Sequence, residues 1–310
     1  MKVAIIGRSE SLYNTAKLLM QHGYKISLII TAKEAPEYKV THKDFEELAS
    51  KTGATYLYTP KVNFSEHKTF ISECGRIDIA ISVNYTGVIQ QNVIDMFPNG
   101  ILNAHAGDLP RYRGNAVFAW AIINRERTVG LCVHKMKGGE LDSGDLIAKS
   151  YRNINISTRI GELYEWIENE IPVLMLEGLK KIERDNKYIL EEQSKDPANA
   201  LRCYPRNPED GKIDWQNDNE TIVRLINASS EPFQGAFCSF NDQKIIVWRA
   251  EIFKDSEIYC AIPGQVCSIL GDNSVVVSTG QGKVKINEVE YNNIRVFPSS
   301  VIKSLRSRLK

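Results

Sequence analysis

Short apolar runs alternate with amphipathic stretches through the first half of the chain. Residues 2–7 are a β-branched run ending at Gly7 and predict a buried strand. Residues 11–22 carry Leu12, Ala16 and Leu19 at helical spacing and stop at Gly23. Strands are predicted at 25–31 and 55–57, with a helix over 41–51 between them. A helix over 66–74, a largely apolar strand over 77–83, a helix over 87–97 and a strand over 100–104 continue the alternation. Strands near 128–136 and 146–151 follow, then a long amphipathic helix over 157–184 with Ser157 as its N-cap. This order predicts an α/β fold, a Rossmann-like, mostly parallel sheet with helices on both faces.

Beyond Arg184 the pattern changes. Residues 193–211 are polar, carry Pro197, Pro205 and Pro208, and read as a connection. A helix over 219–229 precedes short alternating strands at 235–240, 244–252, 264–270, 274–278 and 283–289. Regular turn residues between them predict a small C-terminal β-rich, OB-like barrel. The expected organisation is a first domain over 1–185, a linker over 186–203 and a second domain over 204–310.

The 310 residues are enough for two domains. Balanced charge (39 Lys and Arg against 38 Asp and Glu) and a 43% hydrophobic content exclude a disordered or low-complexity chain. Six cysteines stand without C-x-x-C pairs or zinc spacing, so no metal site is expected. The N-terminus lacks the longer apolar core and cleavage site of a signal peptide, and no stretch approaches the roughly 18 apolar residues of a membrane span. A soluble, reduced, cytoplasmic protein is expected, without a membrane partner.

In an open parallel sheet ligands bind beyond the carboxyl ends of the strands. The strand ending at Asn103 delivers Asn103, His105, Asp108, Arg111, Tyr112 and Arg113 to that edge. Asn103 and His105, two residues apart on an extended segment, point the same way. Asn103 suits an oxygen gaining negative charge, and His105 suits proton transfer near neutral pH. The tight loop over 138–145 holds Asp142, which is placed either to orient His105 or merely to cap its own turn.

The run Asn103-Ala104-His105-Ala106-Gly107-Asp108-Leu109-Pro110, then Arg113-Gly114, then Leu141-Asp142-Ser143-Gly144, resembles the formyltransferases that use 10-formyltetrahydrofolate. The resemblance implies Asn103, His105 and Asp142 as the catalytic trio. Gly107-Asp108 departs from the Ser-Leu common in that family at these positions. The run Arg206-Asn207-Pro208-Glu209-Asp210-Gly211 through Asp214-Trp215 resembles the members that act on nucleotide-linked amino sugars, and Pro232-Phe233-Gln234-Gly235-Ala236-Phe237 and Pro263-Gly264 resemble further family steps.

From this resemblance, the expected formyl donor is 10-formyltetrahydrofolate, lying against Asn84, Tyr85, Met136, Gly139 and Leu141. The expected acceptor is the amine of a UDP- or dTDP-linked 4-amino-4,6-dideoxyhexose, contacted by Arg206 and Asp210, unless that segment is an inter-domain clip; Arg8, which follows the first strand, and Arg113, at the sheet exit, are further candidate contacts. Which of His105 and Asp142 takes the first proton stays open at this point. Dimerisation is common in the family. Methionyl-tRNA formyltransferase is the principal rival, with a formyl-folate hydrolase and a non-catalytic folate or nucleotide module behind it. A tRNA acceptor calls for a basic face, whereas residues 204–310 hold 13 Lys and Arg against 13 Asp and Glu. That balance favours the sugar and a reading without nucleic acid.

Overall fold

Strands β1 (Lys2–Gly7), β2 (Lys25–Thr31), β3 (Thr55–Tyr58), β4 (Ile79–Val83), β5 (Ile101–His105), the two-residue β6 (Arg113–Gly114), β7 (Thr128–Lys135) and β8 (Leu146–Asn153) follow one another along the chain. The structure is a computed structural model that describes all of residues 1–310. All of these strands except β6 form one sheet in the order β3-β2-β1-β4-β5-β7-β8. Pairings from β3 through β5 are parallel, and β5 pairs β7 antiparallel. The mostly parallel, Rossmann-like sheet expected from the sequence is therefore present.

Helices cover the sheet, which is why β4 is apolar at nearly every position and wholly buried. Ala4, Ile6, Leu28, Ile30, Ala80 and Ile101 form one core with Val93, Ile94 and Phe97. α1 (Glu10–Gln21), α2 (His42–Thr52) and α3 (Ser65–Glu73) lie near their predicted positions. α4 (Gln91–Ile94) is much shorter than the expected helix over 87–97. The Asn63 side chain accepts from the Gln90 amide and donates to the Val88 carbonyl, which holds 87–90 as a loop. α5 (Val117–Ile123) was not predicted. α6 (Ile160–Arg184) starts three residues later than expected, because the Ser157 amide and hydroxyl both donate to Asn155 Oδ1 instead of capping.

Contacts divide the chain into two units. One contains Met1–Val117, Val129–Arg152 and Tyr164–Cys203; the other contains Phe118–Thr128, Asn153–Leu163 and Tyr204–Lys310. Residues 186–203, expected as a linker, are integral to the first unit. There Arg113 and Gly114 pair with β9 (Arg202–Cys203). Two short segments expected in the first domain belong to the second unit. Their ties are local: Arg125 donates to Asp218, and Asn227 donates to the Ile156 carbonyl.

The second unit holds α7 (Asn219–Ser229) and strands β10 (Ala236–Phe240), β11 (Gln243–Phe253), β12 (Val266–Ile269), β13 (Val275–Ser278), β14 (Lys283–Tyr291) and β15 (Ile294–Val296), followed by the short α8 (Pro298–Val301). The antiparallel order is β10-β11-β14-β13-β12, with β15 also on β14. The open edges are joined by residues 307–310. Ser239 exchanges backbone hydrogen bonds with Lys310, while Leu309 donates to Gly264 O and Val266 donates to Ser307 O. Val247, Val275, Val277, Val284 and Ile286 fill the interior with Trp215 and Leu309. No helix of the protein is long and apolar enough to cross a membrane.

Candidate active site

The carboxyl ends of β4 and β5 bring Asn84 and His105 to one edge of the sheet. A cavity of about 300 Å³ opens there, lined by the β4 exit, by Asn103, Ala104 and His105, by Gly114 and Asn115, and by the loop that ends at Asp142. Antiparallel pairing sets Asn103 opposite His134. The two side chains meet: Asn103 Nδ2 lies 3.1 Å from His134 Nε2. His134 Nδ1 is 3.2 Å from the Lys135 carbonyl. A carbonyl only accepts, so Nδ1 carries a proton, and in the neutral ring Nε2 accepts from the Asn103 amide. This fixes the amide orientation.

His105 Nε2 lies 2.7 Å from the Tyr112 carbonyl, so that nitrogen is the donor. Its Nδ1 faces Asp142 Oδ2 at 3.5 Å, and the other Asp142 oxygen is 3.7 Å from His134 Nε2. The Gly114 amide donates to Asp142 Oδ2 at 3.0 Å. Burial acts against a charged Asp142, but His105, then His134 and the Gly114 amide, outweigh it and bring the carboxyl down to about 2. Asp142 is therefore ionised at neutral pH. It has φ 50°, in the left-handed region, which Asp tolerates better than most residues.

The trio expected from the sequence thus comes together, with Asp142 oriented on His105 rather than only capping its turn. Asn84, Tyr85, Met136 and Leu141 also line the cavity. Tyr85 is anchored, its hydroxyl donating to Thr59 O and accepting from the Val62 amide. Gly139 does not line the cavity; with φ 78° and open space around it, it only turns the loop.

The four residues expected to contact the acceptor are engaged within the protein. Arg8 donates to the carbonyls of Asn84 and Lys33 and stacks over Tyr38. Arg113 donates to Gln193 Oε1 at 2.8 Å. Arg206 donates to Asp210 O and lies over Trp120, and burial lowers its pKa. The Asp210 carboxylate accepts from the Asn207 amide in a capping box. Arg206 and Asp210 are thus tied to their own segment within the second unit.

His134 was not singled out by sequence reasoning. The available signal was a lone histidine in an apolar run, and only the β5–β7 register makes it meaningful. Glu140 and Asn115, also in the cavity wall, were likewise missed.

A family model described as formyl transferase matches residues 1–178, and one described as formyl transferase, C-terminal domain, matches residues 206–303. The chain belongs to the formyl transferase family. It is accordingly an enzyme of the formyltransferase class. The methionyl-tRNA formyltransferase of Acetivibrio thermocellus is 28% identical over 298 residues, covering 95% of this chain and 93% of that relative. Among solved structures, the N-formyltransferase from Helicobacter canadensis in complex with folinic acid and dTDP-3-aminofucose superposes with a TM-score of 0.68 at 17% identity, over 92% of this chain and 98% of that one. HypX from Aquifex aeolicus in complex with tetrahydrofolic acid gives 0.62 at 18% identity, over 98% of this chain. The formyltransferase chain spans about half the length of HypX, 47%.

Proposed function

We propose that this formyltransferase moves the formyl group of 10-formyltetrahydrofolate to the primary amine of a nucleotide-linked amino sugar. The observation that carries formyl transfer is the convergence of Asn103, His105 and an ionised Asp142 on one cavity. The cavity is at the small end of ligand pockets, fits a bicyclic ring, and has apolar walls from Val88, Ile89, Met136 and Leu141. These residues would hold the folate, and its formyl carbon would lie near Asn103.

The neutral amine attacks the formyl carbon, a C–N bond forms, and the formyl oxygen becomes an oxyanion. The Asn103 amide, oriented by His134, donates to that oxygen. The ammonium proton leaves the new nitrogen, the bond from carbon to the folate nitrogen breaks, and that nitrogen takes up a proton. With its carboxyl near 2, Asp142 is a poor base at neutral pH. It stabilises an imidazolium, so His105 is the better first acceptor of the proton.

The neutral charge of residues 204–310 favours the sugar acceptor. A second reading has its own support: the Acetivibrio relative, matched over nearly its whole length, is named for Met-tRNA. The deciding experiment offers the protein 10-formyltetrahydrofolate with UDP- and dTDP-linked 4-amino-4,6-dideoxyhexoses and, separately, initiator Met-tRNA, with mass spectrometry of the products. A formylated sugar nucleotide supports the proposal; formylation of the tRNA alone overturns it. His105→Asn lowers turnover on the true acceptor by about 10²–10⁴-fold while circular dichroism stays native. Near-normal turnover removes the catalytic assignment.

A further inference from the structure

The segment joining α6 to β9 has the composition of a tether, yet it is built into the catalytic loops. Leu146 and Glu191 form a β-bridge, and Lys149 pairs with Glu191 at 2.7 Å. Two residues on, Gln193 is only 6% exposed. Its Nε2 donates to the carbonyl of Asp142 at 3.0 Å and to that of Gly144 at 2.6 Å. Its Oε1 accepts from Arg113 Nη2. Both donors and the acceptor of one buried amide are thus used, a condition expected of a polar group that specifies a local geometry.

The two things it joins are the two walls around His105. Arg113 belongs to the segment that leaves β5, and the adjacent Gly114 amide donates to the Asp142 carboxylate. Asp142 sits in the loop between β7 and β8 with a left-handed backbone. Such a conformation persists where its surroundings hold it. Gln193 holds the Asp142 carbonyl on one side while His105, His134 and Gly114 receive its carboxylate on the other.

We infer that Gln193 is a positioning residue for formyl transfer, acting through the Asp142 backbone to keep its carboxylate between His105 and His134. The inference rests on the catalytic reading of Asp142 given above. The segment expected as a linker is then part of the catalytic apparatus, and Arg113 serves it by fixing the Gln193 amide rather than by touching the acceptor.

The test is carried out on the full chain. Gln193→Met keeps the length and removes both donors and the acceptor. Arg113→Met removes only the anchor of Oε1, and it decides the question if Gln193→Met does not fold. NMR of protein labelled with ¹³C at the aspartate carboxyl carbon follows the titration of Asp142 directly and needs no acceptor. The groups facing Asp142 are His105 from β5 and His134 from β7, with Glu140 in the same cavity wall. With Asp142 released from the two histidines, its midpoint rises in Gln193→Met and rises less in Arg113→Met. In the same variants kcat falls at least about tenfold, and the affinity for 5-formyltetrahydrofolate measured by calorimetry stays within about twofold.

A lower Tm with an unmoved Asp142 midpoint and unchanged kcat means Gln193 is structural only and overturns the inference. Loss of kcat and of folate affinity together, with Asp142 unmoved, overturns it as well. Asp142→Asn separates the two layers. If that variant turns over normally, the catalytic reading of Asp142 fails and takes the inference with it. If it is strongly impaired while Gln193→Met is normal, the role of Gln193 alone is excluded.

Discussion

Asn103 and His134 face each other across antiparallel β5 and β7, and the amide donates to the imidazole Nε2 at 3.1 Å. In the neutral ring His134 gives its Nδ1 proton to the Lys135 carbonyl, and Nε2 accepts from Asn103. Asn103→Ala should lower kcat by roughly 10²–10³-fold, the usual effect of removing one oxyanion donor. His134→Leu leaves the amide without its partner and should cost about 1–3 kcal/mol in the transition state, about 5–150-fold in kcat. His134→Gln can accept the same proton and should recover part of that loss. Steady-state kinetics with folate binding as control checks the series, and an unchanged kcat in His134→Leu excludes the orienting role.

Asp142 titrates near 2 in the folded protein, against an ordinary value of 3.8. A depressed carboxyl contributes stability above its unfolded pKa, and that contribution fades as pH falls through the folded pKa. The window therefore runs from about 4 down to about 2. Between those limits wild-type stability should fall more steeply with acidification than that of Asp142→Asn, by up to one proton. Urea unfolding at successive pH values measures the two slopes. Parallel slopes contradict the depressed carboxyl.

Gly144 closes the Asp142 loop where no side chain fits. A Cβ there would stand 1.5 Å from the Lys135 carbonyl oxygen. Gly144→Ala should destabilise the first unit by at least about 2 kcal/mol and displace the Asp142 loop. Thermal unfolding and turnover should decline together. A variant with native Tm and native kcat shows that the loop lies elsewhere in solution.

The β-barrel of the second unit depends on residues 307–310. Leu309 is 1% exposed in its core. Leu309→Ala should cost about 2–5 kcal/mol of stability, read from chemical denaturation. A loss below about 0.5 kcal/mol, typical of a surface site, would mean that the closing segment is not packed.

Local pattern determined the alternation of strands and helices, a mostly parallel sheet and the change of architecture after the last long helix, while the trio followed from the resemblance of its motifs to a known family. Apolar periodicity is written within a few residues, and so is the N-x-H spacing at the end of β5. The helix over 87–97 was misread for the same reason: its periodicity is present, but a side chain from elsewhere, Asn63, binds the backbone of its first turn. Likewise, Arg8, Arg113, Arg206 and Asp210 carry the charge a nucleotide would need, and their sequence context cannot reveal that protein groups already engage them. Only the tertiary structure decided that His134 meets Asn103, because a cross-strand partner is set by register. Only it decided that Gln193, 51 residues from Asp142, binds the backbone of the Asp142 loop. A polar run reads the same whether it floats in water or has its amides buried, and the difference lies in which distant carbonyls it meets on folding.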